Sequence, residues 1–246
     1  MARAITRGID PAWSHAAAVD LRAELTPAGF THRVDAVYVV PHGETKKTAA
    51  QLDAVAATMP GLTVSRMPAL DHAPRDYEEV HRSVFWSEWH DTIRELEPAP
   101  PDLVLIEGFA YQAGMYAHQL GGAGCIARSK YPYSPVRIHD PIGVSRSSGG
   151  AAGPGGVVPK QDRVVQLLIV EPGLRPLIEA LKKDKESPGD VADAYFMALA
   201  GLYELDYRLR GSEAMQGYPE HMRGVLSRMT TSYPEAPVSR LLRAVR

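Results

Sequence analysis

The chain has 246 residues, 45% hydrophobic and 23% charged, with a formal net charge of −2 and a single cysteine, Cys125. This leaves room for one large domain with elaborations and has the composition of an ordinary soluble protein. No apolar run approaches the roughly 18 residues of a membrane span, no export signal is read at the N-terminus, and one cysteine excludes an intramolecular disulfide or a cysteine-rich zinc site, as suits a reducing cytoplasm.

The elements are read in chain order. Residues 3–9 read as a strand ended by Asp10-Pro11, and residues 16–25 as a second. Residues 34–40, VDAVYVV, form a strongly β-prone third strand, and the three suit an antiparallel meander. Helical periodicity runs over 44–59, with Leu52, Val55 and Met59 on one face. A proline-rich loop with a short strand near 62–67 follows, and then a long helix over 77–96. Its Trp86 and Trp89 read as core or dimer-interface residues. Leu103 to Ile106 is a short apolar run of the kind buried on both faces of a sheet, with Glu107 at its end. A helix over 111–121 and a short strand over 136–139 come next. Residues 145–159, SRSSGGAAGPGGVVP, read as a mobile segment. Helices over 160–169 and 174–183 lead to a last apolar helix from Pro188. Strands first, then strand–helix alternation, indicates an α/β domain with a mixed sheet.

Asp190 and Asp193 of that last helix, three residues apart, share one face among Val191, Ala192, Ala194, Tyr195 and Phe196. Carboxylates in apolar surroundings need partners. If the first strand neighbours the 103–106 strand, Asp10 and Glu107 meet at their ends, and a helix packed on that sheet delivers Asp190 and Asp193 to the same point. Converging carboxylates repel unless hard cations lie between them, and oxygen-only donors select Mg²⁺ or Mn²⁺. Two such ions about 4 Å apart suit in-line phosphodiester displacement. Each residue alone has a plainer explanation. Asp10 suits a turn before Pro11, Glu107 a strand end, and Asp190 a helix dipole. Asp193, flanked by Ala192, Ala194 and Tyr195, is harder to explain that way.

Four segments then resemble the RuvC family of Holliday-junction resolvases, which has the RNase H-like fold. GIDP (8–11) resembles the first-strand motif, with Ala12 where the family usually has Gly. LVLIEGFAY (103–111) and AHQLGGAGCIA (117–127) resemble the strand bearing the catalytic Glu and the helix after it. DVADAYFMALA (190–200) resembles the last catalytic segment, and VSRSSGG…PKQDRVV (144–165) the flexible loop and its basic residue. The resemblance covers about 3–41 and 77–205. It implies an RNase H-like fold whose mixed sheet has three antiparallel strands followed by parallel strands, with helices on both faces. It implies a nuclease domain over 1–206, with an insertion at about 42–76, the Gly-rich loop at 145–159, and a basic extension over 207–246. That extension holds seven Arg against three Glu, suiting either a solvated tail or a phosphate-contacting surface.

Carried over residue by residue, Asp10, Glu107, Asp190 and Asp193 become the ligands of two Mg²⁺ ions, for which Mn²⁺ can substitute. Lys160 becomes the basic residue near the scissile phosphate, Phe109 or Tyr111 the aromatic that stacks on bases near the crossover, and Arg146 a phosphate contact. Packing explains the aromatics equally well, and a solvated helix start explains Lys160. The implied activity is Mg²⁺-dependent cleavage of four-way or other branched DNA by a homodimer in the cytoplasm of a bacterial or phage-infected cell. The insertion, the extension and the modest charge suggest a divergent member of the kind a phage genome could encode. Alternatives are another RNase H-like nuclease acting on flaps or RNA–DNA hybrids, a non-catalytic junction binder, and a sugar-kinase or actin-type ATPase, for which the chain is short. His15 is a candidate phosphate contact, His139-Asp140 a proton-transfer pair or a strand-end hydrogen bond, and Lys182-Lys183-Asp184-Lys185 a solvated helix end or a DNA-side cluster.

Overall fold

The computed structural model describes residues 2–43, 45–68, 75–97, 99–108, 117–153, 156–182, 186–237 and 241. The β-prone opening forms β1 (Ala2–Pro11), β2 (Ala16–Thr26) and β3 (Gly29–Val40), each antiparallel to the next. The 42–76 stretch supplies α1 (Lys46–Thr58), opened by a reciprocal cap between Thr45 and Thr48. It also supplies β4 (Leu62–Val64), which lies parallel to β3 as an edge strand. Then come α2 (Arg75–Glu95), β5 (Leu103–Glu107), α3 (Ala117–Ser129) and β6 (Val136–His139). Both β5 against β1 and β6 against β5 are parallel. In the order β4-β3-β2-β1-β5-β6, β1 to β3 are antiparallel and β5 and β6 continue parallel to β1, the mixed sheet expected from the sequence, widened by β4.

Side chains alternate across the sheet and build two cores. Ile9, Ala18, Tyr38, Val104 and Ile106 pack under Trp86, Trp89 and Ile93 of α2. Both tryptophans are therefore core residues. Ala4, Val19, Leu103 and Leu105 face α7 (Ser187–Arg210), which is flanked by α5 (Lys160–Val170), α6 (Arg175–Leu181) and α8 (Glu220–Ser232). Helix α7 continues past residue 206, and α8 places Met222, Val225, Leu226 and Met229 in the same core.

The helix expected over 111–121 is described from Ala117 onward; residues 109–116 lie outside the described residues. A short helix, α4 (Pro141–Ser147), occupies the start of the Gly-rich segment. Asp140 caps it by accepting from the Gly143 amide, and Pro141 sits in its first turn, where proline's fixed φ suits a helix. The Val158 amide donates to Ser145 Oγ at 2.5 Å, tying the far end of that segment to α4.

Beneath α2 lies a buried charge cluster. Arg7 donates to both Asp20 oxygens at 2.6 and 2.5 Å and ion-pairs with Glu97. Its guanidinium also lies 5.4 and 5.5 Å from the ring centres of Tyr38 and Tyr131. Burial opposes the Arg7 charge, but Asp20 more than restores it and raises the pKa above the ordinary arginine value.

Candidate metal centre

Strands β1 and β5 run in register from Thr6–Leu103 to Ile9–Ile106. The next residues, Asp10 and Glu107, therefore lie side by side near the ends of their strands, each still paired to its outer neighbour, Asp10 to Ala17 and Glu107 to His139. Both share the parity of Gly8 and Leu105, the face that α7 covers. Helix α7 crosses β1 at Gly8. A Cβ at Gly8 would lie 1.9 Å from the Ala194 carbonyl oxygen and 2.7 Å from the Ala198 amide nitrogen, so only glycine permits this approach. The close crossing lowers Asp193 onto the strand ends. Ligand atoms of Asp10, Glu107 and Asp193 all lie within 4.8 Å of one another, with Asp10 and Asp193 buried.

These carboxyls are strongly perturbed. Burial, then the charge of Asp190, pushes Asp10 up to about 6. Burial, then Asp10, holds Glu107 well above the usual carboxylate range, and the two carboxyls hydrogen-bond to each other. Burial, then Asp10, pushes Asp193 up to about 8 although Arg163 pulls the other way. Crowded, desolvated carboxylates favour a cation among them. Three hard oxygen donors, with no thiolate in the set, fit Mg²⁺ or Mn²⁺ rather than a softer metal.

Asp190 stands beside this group, close enough to act on the charge of Asp10. It accepts from His15 Nδ1 at 2.6 Å and from Lys160 Nζ at 3.1 Å. Lys160 also donates to Glu186 at 3.0 Å. Its stem lies on the first turn of α7, where a Cβ at Gly189 would meet Lys160 Cδ at 2.8 Å. Burial works against the Lys160 charge, but Asp190 and Asp10 raise its pKa beyond the ordinary lysine value. Burial, the largest single influence, works against the His15 charge, but the hydrogen bond to Asp190 together with the charges of Asp190 and Asp10 raises it overall.

The structure thus brings Asp10, Glu107 and Asp193 together, places Asp190 and Lys160 at their margin, and puts His15 on Asp190. Arg146 is exposed, and its Nε donates to the Gly156 carbonyl at 3.1 Å. Phe109 and Tyr111 lie outside the described residues, as do Lys183 to Lys185. His139 is buried, and desolvation lowers it to about 4; its neighbour Asp140 serves as the α4 cap. Arg163, not singled out in the sequence, is buried against Asp193 and ion-pairs with it through Nη1. The signal was its position three residues after Lys160, matching the interval from Asp190 to Asp193.

No protein-family model matches the chain, and no curated protein matches it. Among solved structures it is similar to Thermus thermophilus RuvC, at 17% identity over 83% of this chain and 95% of that chain, with a TM-score of 0.42. It is likewise similar to T. thermophilus RuvC in complex with Holliday junction substrate, at 16% identity over 85% and 97% of the two chains, with a TM-score of 0.42.

Proposed function

We propose that this protein is a Mg²⁺-dependent, structure-selective endonuclease that hydrolyses phosphodiesters in four-way or otherwise branched DNA. The observation that carries the reading is the convergence of Asp10, Glu107 and Asp193 within 4.8 Å from two strand ends and one helix. The sequence resemblance supplies the substrate class. Asp10, Glu107 and Asp193 would hold one divalent ion, and Asp190 would join them for a second. An ion held there supplies Lewis-acid stabilisation of charge on the phosphoryl oxygens and lowers the pKa of an attacking water.

The chain's own residues orient and neutralise. Burial under α7 fixes the three carboxylates and excludes bulk water, which strengthens every charge interaction in the site. Lys160, held at the margin by Asp190 and Glu186, presents an ammonium to a phosphate oxygen. Phe109 or Tyr111 stacks on an unpaired base, and Arg146 contacts the DNA backbone. Cleavage leaves a 5′-phosphate and a 3′-hydroxyl. A homodimer matches the two-fold symmetry of a four-way junction, since paired cuts need two sites. Among the described residues no helix is long and apolar enough to cross a membrane.

The test is cleavage of labelled four-way junction, flap, linear duplex and RNA–DNA hybrid with Mg²⁺ or EDTA, by wild type and Asp193→Asn. Paired symmetric nicks in the junction, lost with EDTA and in the variant, support the proposal. Preference for hybrid or flap moves the substrate to another nuclease of this fold. No cleavage of any substrate overturns the catalytic reading.

A further inference from the structure

Helices α5 and α7 meet with matched charges. Lys160 and Arg163 lie three residues apart on α5, and Asp190 and Asp193 lie three apart on α7. Each cation engages the aspartate in the same position of the pair: Lys160 binds Asp190 at 3.1 Å, and Arg163 binds Asp193. The two cations differ in setting. Lys160 is partly exposed and shared with Glu186, whereas the Arg163 side chain is only 8% exposed. One guanidinium amine holds Asp193, while the buried Arg163 Nε has no hydrogen-bond partner among the described residues. A buried N–H without an acceptor is costly. Arg163 is therefore incompletely satisfied by Asp193, the carboxylate it engages among the described residues, and Asp193 is one of the three that converge.

We infer that Arg163 is a resident counter-cation for Asp193, which a divalent ion must displace to enter the site. The inference rests on the metal-binding reading above. In the ion-free protein the guanidinium engages Asp193 and offsets its charge when it ionises, which lets α7 seat it next to Asp10 and Glu107. When an ion takes the Asp193 oxygen, Arg163 gives up that contact. Its freed amine and its unused Nε–H are then donors without an acceptor, which an anionic oxygen brought to the site would satisfy. Ion entry is thus opposed by a built-in competitor, which weakens binding. A divalent ion carries twice a proton's charge, so the nearby positive charge penalises the ion more than it penalises a proton. Removing Arg163 tightens ion binding even though it also makes Asp193 harder to deprotonate.

The test is Mn²⁺ titration at pH 8, followed by calorimetry and by the electron paramagnetic resonance of free Mn²⁺, on wild type, Arg163→Gln, Arg163→Lys and Asp193→Asn. Arg163→Gln is expected to bind roughly tenfold tighter than wild type, the size of one neighbouring charge. Arg163→Lys should stay near wild type, and Asp193→Asn should lose affinity. Thermal melting with and without Mn²⁺ is the companion readout. Arg163→Gln should melt lower without the ion and gain more from it than wild type gains; if it fails to fold alone, Mn²⁺ should restore it. A merely structural arginine would lower both melting points equally. Unchanged or weaker Mn²⁺ binding by Arg163→Gln, with Asp193→Asn still impaired, overturns the inference and leaves the metal site standing. No Mn²⁺ binding by wild type overturns both.

Discussion

Gly8→Ala probes how the site is assembled without touching any charged group. The added methyl would lie 1.9 Å from the Ala194 carbonyl oxygen, a backbone atom that cannot swing aside. Ordinary non-bonded contact is near 3.5 Å, so α7 must retreat from β1 by about 1.5 Å. Overpacking of this kind costs about 1–3 kcal/mol, which lowers the melting midpoint of a chain this size by roughly 3 to 10 °C. The retreat also lifts Asp193 away from Asp10 and Glu107. A misplacement of about 1 Å at a reacting centre costs on the order of 10²-fold in rate. The assays are thermal melting, Mn²⁺ titration and junction cleavage. Gly224→Ala is the control, because a Cβ there, within α8, meets nothing within 4 Å. It should preserve or slightly raise stability, alanine being the better helix former. A Gly8→Ala protein with wild-type melting and wild-type Mn²⁺ affinity would refute the argument that this crossing positions the site.

Three more outcomes are expected. Asp10 is pushed up to about 6 and Asp193 up to about 8, so the ion-free folded state holds more protons than the unfolded chain across that window. Stability from these groups is complete at low pH and is lost as pH rises from about 4 toward 8. Urea unfolding should show wild type losing ground to Asp193→Asn over this range, with Mg²⁺ reversing the loss most at high pH; a constant difference would contradict the assignment. Lys160→Met should reduce junction cleavage by about 10²-fold, the scale of one lost electrostatic contact, and an unchanged rate would remove Lys160 from the site. Arg7→Met leaves Asp20 and Glu97 buried without their cation, and should cost about 3–5 kcal/mol in denaturant unfolding. Stability within 1 kcal/mol of wild type, taken as about the smallest effect expected of a buried ionic hydrogen bond, would mean the cluster is not held by that charge.

Much of this arrangement was legible because it is written in local pattern. The VDAVYVV run, the apolar LVLI ending at Glu107, and aspartates stranded in an apolar helix each carry their meaning within a few residues. What was missed depends on packing between distant segments. Arg163 in KQDRVV reads as the polar side of a surface helix, and only the α5–α7 contact turns it inward onto Asp193. Arg7 carries no signal of its own within the 3–9 strand; its burial follows from β1 lying inside the sheet with α2 over that face. The contact of His15 with Asp190 depends on the turn after β1, which brings together residues 175 positions apart. The α4 helix at the head of a Gly/Ser segment depended on one cap, Asp140, whose pairing with His139 had drawn a different reading.

The most direct measurement is anomalous diffraction from crystals soaked in Mn²⁺, for wild type and Asp193→Asn. A wild-type peak bounded by Asp10, Glu107 and Asp193, absent or much weakened in the variant, is the expected result. A wild-type crystal at saturating Mn²⁺ with no peak among those three carboxylates, from protein that still cleaves DNA, would contradict the claim that this is the catalytic metal site.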